Sequence, residues 1–315
     1  MRFRGRWLSI GGVAAIALLG GSPGSAQTRP GASAGSLRAA RETMLAADRN
    51  VAAAVRREGL ARALGAALGT EGLLLFEGAP IVAGAEAAAR VFDAAPELVR
   101  LQVDWLPLAA HVSPDGSLGA TYGVTLSLDP SAGDTAAWRA SRYICVWRRR
   151  GETWVLAAHA LTRLLPAPPA PPADVTTPAP AAWQRTDGPG APFAAADRAF
   201  ARLAGDSGAP AAFARFVAPT GAVFAATGEI LVGPDAIGAR MRENPNRTQW
   251  AWGPWFAGAS DDGEMGFTVG EAAITTTRDG TSSTVYSKYL TVWRRLPDGA
   301  IRFLVDGGNA RPARP

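Results

Sequence analysis

At 315 residues, with 48% hydrophobic and 19% charged content, the chain is long enough for about two domains of ordinary size and too apolar for disorder. Its 32 basic and 27 acidic residues give a formal charge of +5. Arg2, Arg4 and Arg6 lie in an acid-free leader, so the remainder carries only 29 − 27 = +2, no electrostatic footprint for nucleic acid.

Met1 to Ala26 has the three parts of a secretory signal peptide: basic MRFRGRW, an apolar stretch from Leu8 to Leu19, and a small-residue tract ending Gly24-Ser25-Ala26. The Gly/Ser/Pro run cuts the apolar stretch short of the roughly 18–20 residues of a membrane span. The expectation is a periplasmic or secreted protein with no membrane span after signal removal. Cys145 is the single cysteine, so no internal disulfide forms. It alternates with Tyr143 and Trp147 as a buried strand residue does, and a catalytic thiol is the minority reading.

From Ser36, a plausible N-cap, Leu37, Ala40, Met44, Ala47, Val51 and Val55 recur at helical spacing. A second helix is expected over Leu60 to Leu68, then an apolar strand from Gly72 to Phe76, a turn at Gly78-Ala79-Pro80 and a short strand at Ile81-Val82. A third helix opens at Gly84 and ends before Pro96. Four strands follow: Val99 to His111 (interrupted near Pro107), Ser117 to Leu128, Trp138 to Arg150 and Thr153 to Thr162. Proline density marks residues 165–192 as an extended linker.

Past the linker the pattern restarts. Ala196-Asp197-Arg198 echoes Ala47-Asp48-Arg49, and Ser260-Asp261-Asp262-Gly263 echoes Ser113-Pro114-Asp115-Gly116. Tyr289 with Val292-Trp293-Arg294-Arg295 echoes Tyr143 with Val146-Trp147-Arg148-Arg149. Two copies of one domain are expected, over 36–164 and 193–310. The paired arginines read as solvated strand ends beside turns.

The second copy, through FAAADRAFARLA, GEMGFTVGE and YLTVWRRLPDGAIRFLVDGG, resembles the SnoaL-like, DUF4440-type domains of the NTF2-like superfamily; the first resembles them more weakly. The resemblance implies an α+β chain of two tandem NTF2-like cones, each a curved, mostly antiparallel sheet wrapped around helices. It also implies a deep pocket and activities ranging from isomerases, dehydratases and cyclases to non-enzymatic binders. Domains of this superfamily often dimerise through exposed sheet faces. An intramolecular pseudo-dimer or a homo-oligomer is therefore expected, and a purely structural pair is one functional reading.

Asp306 follows the apolar run Phe303-Leu304-Val305 and is the candidate general base, against the plainer role of a structural acid in the Gly307-Gly308 turn. Tyr289 is the candidate hydrogen-bond donor beside it. Trp250, Trp252 and Trp255 are candidate pocket walls, and the first copy keeps only Trp105 of this group. Glu271, in phase with Met265, Phe267 and Val269, is a further pocket candidate. In the first copy Tyr143 matches Tyr289, and His159 stands where Asp306 does. His111 and His159 are the only histidines and lack zinc-ligand spacing. No metal or cofactor is expected, and no phosphate-binding glycine motif or nucleophile elbow occurs. A small, fairly apolar ligand is the leading expectation, and cofactor-independent acid/base catalysis the alternative.

Overall fold

The computed structural model describes residues 33–68, 71–162, 185–225, 229–243 and 247–311. The signal-peptide reading and linker residues 165–184 lie outside them. Linker residues 185–192 run through a 3-10 turn at Gly188–Gly190 into the first helix of the second repeat.

The first repeat contains α1 (Ala34–Glu58), α2 (Leu60–Leu68), β1 (Leu73–Leu75), β2 (Ile81–Ala83), α3 (Gly84–Asp93), α4 (Pro96–Arg100), β3 (Gln102–Val112), β4 (Leu118–Leu128), β5 (Arg139–Arg150) and β6 (Thr153–Thr162). The second contains α5 (Ala191–Ser207), α6 (Ala209–Phe216), β7 (Val217–Phe224), β8 (Ile230–Val232), α7 (Pro234–Arg242), β9 (Arg247–Ala259), β10 (Met265–Arg278), β11 (Thr281–Arg295) and β12 (Ile301–Ala310). The first sheet runs β2-β1-β6-β5-β4-β3 and the second β8-β7-β12-β11-β10-β9. In each, four long strands form an antiparallel meander whose last strand pairs in parallel with the short first strand. Val99 belongs to α4, not to a strand: Pro96 sits in the first turn, where its fixed φ suits a helix start.

The central part of each sheet is buried on both faces, and the period of two decides what each face meets there. On β11, Tyr289 and Trp293 point toward α5 and α6, whereas Leu290 and Val292 join a second core. That second core draws on both sheets. Ile144, Val146 and Ala158 pack there with Met265, Phe267, Val292 and Val305, so the two outer faces cover each other within one chain.

A near-twofold set of polar contacts ties the junction. The Asp262 N–H donates to Asp115 Oδ2 at 2.8 Å, and the Asp115 N–H donates to Asp262 Oδ2 at 3.0 Å. Arg148 donates to the Ala259 carbonyl at 2.9 Å and Arg294 to the Val112 carbonyl at 3.0 Å. These two arginines are therefore half-buried ties across the junction rather than solvated strand ends, while Arg149 and Arg150 stay exposed.

Candidate functional site

The buried stripe of α5 is Phe193, Ala194, Asp197, Phe200 and Ala204. An acid in such a stripe needs hydrogen-bond donors. Asp197 has them: Trp252 Nε1–H donates to Oδ1 at 2.8 Å and the Tyr289 hydroxyl to Oδ2 at 2.9 Å. Gly270 makes room for that hydroxyl, since a Cβ there would stand 2.5 Å from the Tyr289 oxygen. Burial pushes the Asp197 pKa up to about 6, against the lowering effect of Thr268, Trp252 and Tyr289. The first repeat builds the same knot. Asp48 on α1 accepts from Trp105 Nε1–H at 2.6 Å and from the Tyr143 hydroxyl at 2.8 Å. The sequence comparison found both aspartates only as an echo in a helix; a carboxylate in phase with buried apolar positions was the signal for their role.

One strand pair away the repeats part. On β12, Asp306 lies opposite Thr291 of β11, whose hydroxyl donates to Asp306 Oδ1 at 2.5 Å. The matching pair in the first repeat is Cys145 and His159, with Sγ and Nδ1 3.1 Å apart.

Asp306 lines a cavity of about 960 Å³ in the second repeat. Its aromatic wall comprises Phe200, Phe213, Trp250 and Trp252, with edge-to-face contacts at centroid distances of 4.7 Å (Phe200–Trp252) and 5.8 Å (Phe213–Trp250). Tyr289 also lines it, so Asp306 and Tyr289 reach the same cavity. Removal from water, with a smaller contribution from the Asp197 charge, pushes the Asp306 pKa up to about 7 despite the Thr291 hydrogen bond.

The other candidates lie elsewhere. Trp255 is the extra residue of a β-bulge, where Gly270 pairs with Pro254 and Val269 with Phe256. Trp255 also stands three residues after Trp252, an odd spacing that turns it to the opposite face from Trp250 and Trp252, and it packs against the core between the sheets. Glu271 shares the face of Val269 and Phe267, turned toward the first repeat, and ion-pairs with Arg311 at 3.3 Å. Tyr143 and His159 are fully buried in the first repeat, with His159 against Trp105 (5.7 Å) and Tyr143 (6.4 Å). Burial brings the His159 pKa down to about 3 and pushes the Cys145 thiol well up, the opposite of what an activated thiol needs.

Among solved structures, the chain is similar to an NTF2-like protein with a cystatin-like fold from Novosphingobium aromaticivorans (17% identity, 38% of this chain and 79% of that one, TM-score 0.33). It is similar also to a ketosteroid isomerase-like protein from Erwinia carotovora atroseptica (13% identity, 37% and 91%, TM-score 0.33). A protein with a cystatin-like fold from Caulobacter vibrioides matches at 17% identity over 41% and 92%, with a TM-score of 0.34. No protein-family model and no curated protein matches the chain. The strand order and helix placement of both repeats are those that the sequence resemblance implies. Each repeat has an NTF2-like fold. In the second NTF2-like domain the helices and the sheet enclose the cavity; in the first, the matching position is filled by His159 between aromatic rings.

Among the described residues, no helix is long and apolar enough to cross a membrane.

Proposed function

We propose that the chain is an exported, periplasmic or secreted protein whose second NTF2-like domain binds a small, largely apolar molecule. The address is supported by the leader-like pattern of Met1 to Ala26. The binding reading is carried by one observation: a drug-sized cavity with an aromatic wall and the carboxyl of Asp306 on its lining, beside that wall. The first domain serves as a packing partner whose sheet covers the back of the second.

Acid/base catalysis is the second reading, favoured by the raised pKa of Asp306. A carboxyl near neutrality inside a cavity is suited to taking a proton from carbon and returning it. The hydroxyl protons nearby are committed, however: Tyr289 donates to Asp197 and Thr291 to Asp306. An isomerase-like site needs donors aimed at the developing oxyanion, and neither of these two hydroxyls is free for that role. Binding therefore ranks first.

Native mass spectrometry of the protein isolated from its source, with denaturing extraction of any co-purified molecule, tests the binding reading. A bound organic species lost on Phe213→Glu supports it. A protein isolated empty, whose melting temperature is unmoved by any member of an apolar metabolite library, refutes it. Turnover of a bound compound that disappears in Asp306→Asn would promote the second reading.

A further inference from the structure

The charges around the cavity are not evenly placed. Asp306 lies deep, on the strand pair next to the Asp197 knot. The apolar wall of Phe213, Trp250 and Trp252 comes next. The end of α7 supplies the charged part of the lining beyond that wall: Arg240, Arg242 and, just past the helix, the exposed Glu243. Arg240 meets Glu229 and Glu243 only at 3.7 Å each, longer than the roughly 2.7–2.9 Å of a charge-assisted hydrogen bond, so its donors are not saturated by those acids. Arg242 is exposed and makes no ion pair among the described residues. Lys288, the remaining cation at the cavity, sends its ammonium to the Ala310 carbonyl at 2.9 Å. It shares the strand face of Leu290, which packs between the sheets, so its charge is spent away from the opening.

A ligand that matches this order carries its own charge at the outer end. We infer that the cavity is built for an amphipathic anion: a planar apolar body, a carboxylate or sulfonate held at the Arg240–Arg242 rim, and a neutral oxygen reaching inward to Asp306. A cation is disfavoured at the rim because its two guanidinium groups outnumber the one lining carboxylate there, Glu243. An anion is disfavoured at the inner end by the carboxyl of Asp306. A protonated Asp306 donates to a carbonyl or hydroxyl oxygen, a role its raised pKa permits near neutrality. The inference rests on the binding reading above and adds polarity and orientation to it.

Three matched probes separate the possibilities: 6-acetyl-2-naphthoate, neutral 2-acetylnaphthalene and (6-acetyl-2-naphthyl)methylammonium. Each is titrated into the full chain by calorimetry at pH 7 and low salt. Two part-exposed guanidinium groups predict that the anion binds roughly fivefold tighter than the neutral ketone. That preference should shrink toward one in Arg240→Gln/Arg242→Gln. If the double variant does not fold, the wild-type protein in 0.5 M salt should lose the same preference by screening. An ammonium probe that binds tightest overturns the inference, and so does an anion preference that survives both the substitutions and the salt. Equal binding of anion and ketone overturns it too, while leaving the binding reading intact. No binding of any probe up to millimolar concentration removes both.

Discussion

Replacing Asp306 by Asn tests whether this carboxyl is held in a desolvated cavity. Asn keeps an oxygen for the Thr291 hydroxyl and nearly the same volume, but cannot ionise. The Asp306 pKa rises from an ordinary 3.8 to about 7 on folding. The folded state then binds the proton more tightly than the unfolded state does. The stability that this group contributes is present in full below pH 3.8, falls as pH climbs from 3.8 to 7, and is flat beyond. A three-unit displacement is about 4 kcal/mol by linkage; the carboxyl faces a cavity that admits water, so about half, ~2 kcal/mol, is the working figure. Asp197, pushed up to about 6, titrates in both proteins, so its own desolvation cancels and only its smaller charge coupling to Asp306 remains in the difference. Urea unfolding followed by far-UV circular dichroism should find the two proteins equal near pH 4. Asp306→Asn should then be the more stable by about 2 kcal/mol at pH 8. A difference that is constant with pH, or that favours the wild type at pH 8, would mean that Asp306 is solvated or paired, and the candidate site would lose its central group.

Two further substitutions probe the frame that holds the site. Asp197→Ala removes the acceptor of both Trp252 Nε1–H and the Tyr289 hydroxyl; two orphaned buried donors and a void should cost about 3–5 kcal/mol in thermal or urea unfolding, whereas Asp197→Asn, which retains one acceptor oxygen, should cost clearly less. At the domain junction, burial pushes the Asp115 pKa up, but hydrogen bonds from Ser113, Ser117 and the Asp262 N–H outweigh it and hold the carboxyl below its usual value. A double-mutant cycle of Asp115→Ala and Asp262→Ala should show a coupling of about 1 kcal/mol above pH 4, fading as acid protonates Asp115 and its depressed-pKa contribution is lost; additive effects at neutral pH would deny the reciprocal hydrogen bonds.

Most of the architecture was legible because it is written twice. Trp147 and Trp293 are fully buried anchors that tolerate little change, each donating its indole N–H to a threonine on the next strand, Thr121 and Thr268. The motif around them persists at a nearly constant offset where surface residues have drifted. The element order followed from periodicity and from the turn residues that punctuate it. The site was less legible, for reasons that belong to three-dimensional packing. Trp255 is near Trp252 in sequence, but the odd spacing of three turns it to the other face of the strand, so the three tryptophans do not share one wall. Alternation does put Glu271 in phase with Met265, Phe267 and Val269, but it does not say which face of a doubly covered sheet looks into the cone. That face became clear only once Phe267 and Val269 met the other repeat. Asp197 was hidden for the opposite reason: a lone acid in a helix usually faces solvent, and its two donors come from strands 55 and 92 residues away.

The contrast between Asp306 and His159 shows how one scaffold came to hold two different interiors, and it can be tested in the reverse direction. In the second domain, a carboxyl between Thr291 and an open cavity has a donor on one side and room for water or ligand on the other. In the first, the equivalent side chain is entirely enclosed, with Cys145 as its polar neighbour and rings of Trp105 and Tyr143 against it. A neutral imidazole suits that enclosure because it is flat, fills volume and need not ionise; the same burial that pushes Asp306 up pushes His159 down, and both groups thereby shed charge. His159→Asp should therefore fail to create a second working site. It would place a smaller carboxyl in a sealed interior with no hydroxyl like that of Thr291, at a cost of about 3–5 kcal/mol at pH 8 from desolvation and lost packing. The loss should ease as pH falls toward 5, because a raised carboxyl pKa stabilises the folded form only while the proton stays on. Adding Cys145→Thr should recover part of the loss by supplying the missing hydroxyl. Were His159→Asp as stable as the wild type at pH 8, with a normal carboxylate titration by NMR, the first domain would have to admit water at this position. Its interior would then be a pocket like that of the second.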